Sequence, residues 1–183
     1  GSPSSTLTAG QQDSLRSGDV VRVSADGRAV VVLGEAGSVE LGPGTRVTLL
    51  EWTQQPGARS AQARLALHTG AVVARLAGAP ADGAELIVET TVITVVSQGG
   101  VFQCQALASD HALVAVYEGS ADVSMGEQLA SLHGGEGLDA WLGQPLVAAA
   151  VLEPAPTPLV VPRGTAVAPT ATLTDREKTL FPK

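Results

Sequence analysis

The chain has 183 residues, 44% of them hydrophobic and only 3% aromatic, and its formal net charge is −7 at pH 7. This length favours one sizeable domain with a tail. Residues 12–146 include seven arginines and fifteen acidic residues, and both lysines lie near the C-terminus. These features exclude a basic face for nucleic acid or an anionic membrane surface, and no apolar run of about 18 residues predicts membrane insertion within this chain.

The chain divides into three parts by composition. Residues 1–12 are rich in Ser, Thr, Gly and Gln without periodicity, and we interpret them as a flexible N-terminal arm. Residues 13–146 alternate short aliphatic runs with Gly-centred turns, which predicts an all-β domain. The predicted strands are 20–24, 28–33, 38–41, 45–52, 63–68, 71–76, 85–90, 92–96, 101–107, 112–117, 120–124 and 128–132.

Turn residues between these runs indicate how the strands are connected. The segment 25–28 predicts a hairpin, and 68–71 and 118–120 predict tight reversals of the chain. The runs 30–33 and 92–96 are apolar on both faces, so we expect them to be covered on both sides. A β-sandwich or a flattened β-solenoid of about a dozen short strands would provide that cover.

Residues 147–183 form an extended, Pro-rich C-terminal tail. Proline recurs at positions 154, 156, 158, 162 and 169, a density that excludes helices and central strands. Leu159, Val160 and Val161 are nevertheless apolar, which a solvated linker does not need. Two interpretations stay open: a disordered tether, or an arm that docks by adding a strand to a sheet edge. In the second, these three residues are the predicted partner-binding segment.

Residues that carry chemistry do not gather in any catalytic pattern. Cys104 is the only cysteine, which excludes an intramolecular disulfide, and its position on an alternating strand predicts a buried, inert thiol. His68, His111 and His133 lack metal-ligand spacing and are interpreted as turn or surface residues. Nucleophile-elbow, phosphate-loop and dinucleotide-binding motifs are absent. We therefore predict no catalytic residues, no metal site, no cofactor and no enzymatic activity.

Two residue pairs are candidate exceptions. Glu85 and Glu89 share one face of a predicted strand, but their backbones would stand roughly 13 Å apart, too far for a glycosidase pair, so they indicate a solvated strand face. Trp52 and Trp141 could stack on sugar rings, but residues so distant in sequence are more often caps on the core. Carbohydrate binding is kept as an alternative function.

Six turn-and-strand patterns occur in an order that resembles the FecR domain, from about Leu15 to Leu142. They are the segments 15–19, 38–49, 65–72, 86–90, 114–123 and 134–137. The chain departs from the family pattern at two points. Ser97-Gln98-Gly99-Gly100 stands in place of Arg-Gly-Thr, and Thr90-Thr91 stands in place of Thr-Pro.

The resemblance implies a FecR-like β domain that lies outside the cytoplasm, in the periplasm or at the cell surface of a bacterium. It implies a non-enzymatic interaction or sensor module whose partners are proteins, or further copies of itself, bound through sheet edges and the tail. The alternative is a structural subunit of a surface filament, layer or membrane-associated assembly held by its terminal arms.

Overall fold

The computed structural model of the chain describes residues 4–7, 11–54, 61–77, 85–151, 155–158 and 171–174, and of residues 4–7, 54 and 171–174 only the backbone is considered. These residues form fourteen strands and one 3₁₀ turn, Gly34–Ala36. The strands are β1 (Ser4–Leu7), β2 (Val20–Val23), β3 (Ala29–Val32), β4 (Gly37–Leu41), β5 (Arg46–Gln54), β6 (Ala61–Leu76), β7 (Glu85–Glu89), β8 (Thr94–Ser97), β9 (Gly100–Ala108), β10 (His111–Met125), β11 (Gln128–His133), β12 (Glu136–Trp141), β13 (Ala148–Ala150) and β14 (Ala171–Thr174).

The strands form two sheets, and the predicted all-β class is confirmed. Sheet A has the order β1-β14-β2-β5-β6-β7-β8-β10-β11, and sheet B has the order β3-β4-β6-β9-β10-β12-β13. All described pairs are antiparallel except β6 with β7. Of the two predicted architectures, the β-sandwich is the one observed. No helix among the described residues is long and apolar enough to cross a bilayer.

Two long strands belong to both sheets, which corrects the predicted reversals at 68–71 and 118–120. The first half of β6 pairs with β5 and β7 in sheet A, and from Gly70 onward β6 pairs with β4 and β9 in sheet B. β10 changes sheets in the same way at Gly119. Both glycines have positive φ, +86° and +79°, so each strand bends there without ending.

The hydrophobic core lies between the sheets and consists of aliphatic side chains with one aromatic ring. Alternate residues of each strand point inward, as in β7, where Leu86 and Val88 are buried and Ile87 is only partly so. Phe102 is the largest fully buried side chain. Inward-facing residues of both sheets belong to a single cluster, so the described strands surround one core.

The two lateral sides of the sandwich differ, and we name them by their strands. On the β2–β3 side, β2 lies near one end of sheet A, and β3 is the end strand of sheet B. On the opposite β11–β13 side, β11 ends sheet A and β13 ends sheet B. The expectation that residues 30–33 are covered on both sides is wrong, because β3 is an edge strand and Val32 is 65% exposed.

Four strands lie outside the predicted set. β12 lies within the predicted domain, whereas β1 falls in the predicted arm and β13 and β14 fall in the predicted tail. β13 pairs with β12, and β14 lies between β1 and β2. In these places the backbone of the terminal segments extends the sheets of the domain.

Candidate functional site

Ionisable side chains among the described residues do not converge on a catalytic centre. No group of three or more His, Cys, Asp or Glu residues in that part of the chain could hold a metal ion. A cleft of about 250 Å³ lies beside the bend in β10, lined by Gln98, Asp122 and the backbone around Gly99 and Gly119. Asp122 is its only ionisable residue and Ser131 Oγ donates to it at 2.6 Å, so the cleft lacks a general acid–base pair.

Cys104 is fully buried on the inner face of β9, which confirms the sequence-based interpretation. Burial raises the pKa of its thiol to about 12. The reactive form of cysteine is the thiolate. A buried thiol that stays protonated across the physiological range serves as an apolar core side chain.

The three histidines lie apart and make different contacts. His68 Nε2 is 2.8 Å from Thr48 Oγ1 on the neighbouring strand, and the His133 side chain is exposed beside the turn before β12. His111 Nε2 is 2.5 Å from Asp139 Oδ1, and its ring stacks on Trp141 with centroids 3.7 Å apart.

The paired carboxylates lie on the outer face of sheet A, as predicted. Glu85 accepts hydrogen bonds from Gln62 at 2.5 Å and from Gln98 at 3.3 Å. Glu89 forms an ion pair with Arg64 on β6. Each carboxylate is therefore occupied by neighbours on its own sheet face, an arrangement typical of a solvated strand surface.

The two tryptophans do not form a common platform. Trp52 lies on β5 in sheet A and packs against the core, in agreement with the interpretation as a core cap. Trp141 lies on β12 in sheet B and is 39% exposed, so for this residue that interpretation is wrong. His111 occupies one face of the indole. Leu142, which follows Trp141, and Leu107, near the β9–β10 turn, are also exposed.

β11 is an unprotected edge strand on the β11–β13 side. Met125 pairs with Gln128 across a two-residue turn, so Leu129 and Ser131 are non-hydrogen-bonded partners of β10 and their main-chain N–H and C=O groups face outward. Among the described residues, only β10 pairs with β11. β11 contains no charged residue and no proline, and Leu129 is 80% exposed. Edge strands of monomeric proteins usually carry charge or proline that blocks pairing.

Described parts of the C-terminal tail contact sheet B. Arg75 Nη2 on β6 donates to the carbonyl oxygen of Pro156, and Arg75 Nε donates to Glu40 Oε1 at 3.0 Å. Glu40 is only 8% exposed, although it lies on the outer face of the sheet. The predicted binding segment, Leu159, Val160 and Val161, lies outside the described residues.

Comparison with known proteins places this fold in a family. The FecR protein family matches residues 19–122, more than half of the chain. The chain belongs to the FecR protein family. No curated protein matches it.

Solved structures share the fold of this chain. Two crystal structures of a protein from Parabacteroides distasonis ATCC 8503, assigned as an anti-sigma factor, have TM-scores of 0.58 and 0.57 and 20% sequence identity with this chain. The similarity covers 74% of this chain and 60% of that protein. At this identity the likeness concerns the fold.

Buried polar contacts stabilise the FecR-like turns, and the role of the residues that make them is structural, not catalytic. In the opening turn, Asp19 Oδ2 accepts a hydrogen bond of 2.7 Å from the Arg16 N–H. Each strand bend has a buried hydroxyl beside it. Thr45 Oγ1 bonds both backbone groups of Ala71 next to the β6 bend, and Ser97 Oγ donates toward Ser120 O, 2.9 Å away, next to the β10 bend. The family pattern therefore specifies architecture.

Proposed function

We propose that this chain is a non-enzymatic interaction or sensor module of the bacterial cell envelope, located outside the cytoplasm, which binds a protein partner by strand addition to β11. FecR membership supports the regulatory class of function. The exposed, uncharged edge of β11 is the observation that carries the binding mode. A partner segment in extended conformation would form hydrogen bonds with the outward main-chain groups of Leu129 and Ser131. The same segment would contact the apolar side chain of Leu129.

The charge of the domain fits this mode of binding. The folded part is acidic, with a net charge of −8 from residue 12 to residue 146, so a general electrostatic attraction would select basic partners. β11 carries no charge of its own. Recognition there depends on backbone hydrogen bonds and apolar contact, which suits an extended segment of another polypeptide.

The test compares two substitutions at one position. Immobilised wild-type chain, Leu129→Pro and Leu129→Thr are incubated with envelope proteins of the producing bacterium, and retained proteins are identified by mass spectrometry. Proline removes an outward N–H that β10 does not use, whereas threonine keeps it. We expect a protein retained by wild type and Leu129→Thr and lost with Leu129→Pro. Equal retention by all three chains, or no retained protein, would refute the proposal.

A structural subunit is the second candidate, and the terminal strands favour it. β14 pairs with β1 on one edge and with β2 on the other, so segments from both chain ends meet in one sheet. Such strands can be exchanged between copies, which produces an assembly. Deletion of residues 159–183, which removes β14, should then abolish assembly, measured by light scattering, and leave the domain folded, measured as a cooperative unfolding transition in urea. Assembly that survives the deletion would exclude this candidate.

A further inference from the structure

We propose that the polypeptide segment that binds β11 carries a lysine or arginine that pairs with Asp122, and an apolar residue two positions away that contacts Leu129. The inference rests on the strand addition proposed above. It adds one charged contact to the backbone and apolar contacts of that edge, and so names the class of partner that the edge selects.

Charge is unevenly distributed along the chain, and the region that contains β11 is acidic throughout. Residues 76–162 contain ten Asp and Glu residues and no Lys or Arg, whereas residues 1–75 contain seven arginines and six acidic residues. β8, β10 and β11 all lie in the acidic region. Glu127, in the turn before β11, and Glu118, beside the bend in β10, are exposed. The field at this edge of sheet A therefore favours a positively charged partner.

Asp122 lies on β10, one strand inside the open edge. It is paired with Ser131 of β11, and both side chains are exposed on the outer face of sheet A. Ser131 Oγ donates to Asp122 Oδ1 at 2.6 Å, so the carboxylate is held on the side that faces β11. Among the described residues Asp122 is part of no ion pair, because the ion pairs there involve Glu40 and Glu89, and Asp139 contacts His111.

The register of β11 places one residue of an added strand beside Asp122. Leu129 and Ser131 offer outward main-chain groups, and the next outward N–H, that of His133, already donates to Glu136 Oε2 at 2.8 Å. Paired residues of neighbouring strands have their side chains on the same face. The residue opposite Ser131 would lie about 5 Å away, so a long Lys or Arg side chain can pass the small serine and reach the carboxylate. The residue opposite Leu129, two positions along the added strand, meets an apolar side chain.

The cleft beside the bend in β10 gives the charged head group room. Asp122 forms part of its wall, and its volume of about 250 Å³ far exceeds the space that one water molecule needs. The other side chains that line it, those of Val96, Gln98, Ser120 and Ala121, are uncharged. An ammonium or guanidinium group can therefore approach the carboxylate without meeting another cation, and can form a charge-assisted hydrogen bond with it.

A second copy of this chain does not fit the same edge. β11 has the sequence Gln-Leu-Ala-Ser-Leu-His, so a copy added through its own β11 would supply no lysine or arginine. It would also bring a second Asp122 and a second Glu127 to an edge that is already acidic, and like charges brought together weaken an interface. Charge complementarity therefore favours a basic segment of a different polypeptide.

Peptide selection tests the charge preference. Random nonapeptides displayed on phage are selected on the immobilised full-length chain, and each recovered peptide is then tested on Leu129→Pro and Leu129→Thr. We expect the peptides that bind Leu129→Thr but not Leu129→Pro to carry Lys or Arg two positions from an apolar residue. Peptides that depend on β11 but lack this pattern would overturn the inference and leave strand addition standing. If no peptide depends on β11, the proposed strand addition is wrong and the inference is wrong with it.

Substitution of Asp122 tests the pair itself. Asp122→Asn keeps an oxygen that accepts from Ser131 and removes the charge. A selected peptide should bind Asp122→Asn about threefold to fivefold more weakly than wild type, the factor expected for an exposed cross-strand pair of opposite charge. The same peptide with its basic residue replaced by Gln should bind both chains equally.

Asp26→Asn is the matched control, because it removes the same charge from an exposed turn on the β2–β3 side, and it should leave the affinity unchanged at physiological salt. Two results would overturn the inference. One is equal affinity of the basic peptide for wild type and Asp122→Asn. The other is a homodimer of the chain, detected by analytical ultracentrifugation, that Leu129→Pro abolishes and Leu129→Thr preserves.

Discussion

Substitution of Gly70 by alanine tests the bend that carries β6 from one sheet to the other. Gly70 has a φ of +86°, and a Cβ atom built there would lie 2.6 Å from Thr45 Cα and 2.5 Å from Thr45 Oγ1. The positive φ costs a residue with a side chain about 1–2 kcal/mol. Overpacking against a buried backbone adds about 1–3 kcal/mol, because Thr45 also holds Ala71 through two hydrogen bonds.

We therefore expect Gly70→Ala to lower the free energy of unfolding by about 2–5 kcal/mol, measured by urea denaturation. Gly44→Ala is the matched control, because Gly44 has a φ of +68° with no atom within 4 Å of the added Cβ. It should cost only the strain of about 1–2 kcal/mol. If Gly70→Ala costs no more than Gly44→Ala, the close approach at the bend does not stabilise the fold and the reasoning is wrong.

Three further predictions concern the core, the ion pair and the thiol. Phe102→Ala should lower the free energy of unfolding by about 3–5 kcal/mol because the ring is 1% exposed. The control, Leu129→Ala, should change it by less than about 0.5 kcal/mol. Similar losses of unfolding free energy in the two variants would refute the assigned core. Glu40→Ala and Arg75→Ala should show a coupling of about 1–3 kcal/mol in a double-mutant cycle, and additive costs would contradict a partly buried pair. Burial raises the pKa of the Cys104 thiol from 9.0 to about 12. Between these two pH values the thiol loses its proton only when the protein unfolds. The free energy of unfolding should therefore fall by about 1.4 kcal/mol per pH unit as the pH rises from 9 to 12. Cys104→Ala should lack this part of the pH dependence, and identical profiles for the two chains would contradict it.

Much of the sandwich follows from local sequence. Alternation of apolar and polar residues places Phe102 and Cys104 on the buried face of β9 and the intervening Gln103 on the outer face, as the structure has them. The continuity of β6 and β10 does not follow. A Thr-Gly pair at residues 69 and 70 has the composition of a hairpin turn, and only pairing with strands distant in sequence, β4 and β9, makes it a bend within one strand.

Other features depended on neighbours that a single sequence does not reveal. β12 contains Glu136, Gly137 and Asp139, residue types that are depleted in strands, yet it pairs with β10 over six residues. Gly137 is required there because a Cβ atom would lie 2.6 Å from Val114 O. The exposed edge of β11 could not be predicted either, since edge or centre is a property of the whole sheet.

Site-specific photo-crosslinking in the producing cell tests the central claim most directly. A photoreactive residue at position 129, on the open edge of β11, should form an adduct with another protein, and one at the exposed Asp26, in the turn between β2 and β3, should not. An adduct of defined mass at position 129 alone is the predicted result. Absence of any adduct at position 129, or the same adducts at both positions, would contradict a binding module that acts through this strand.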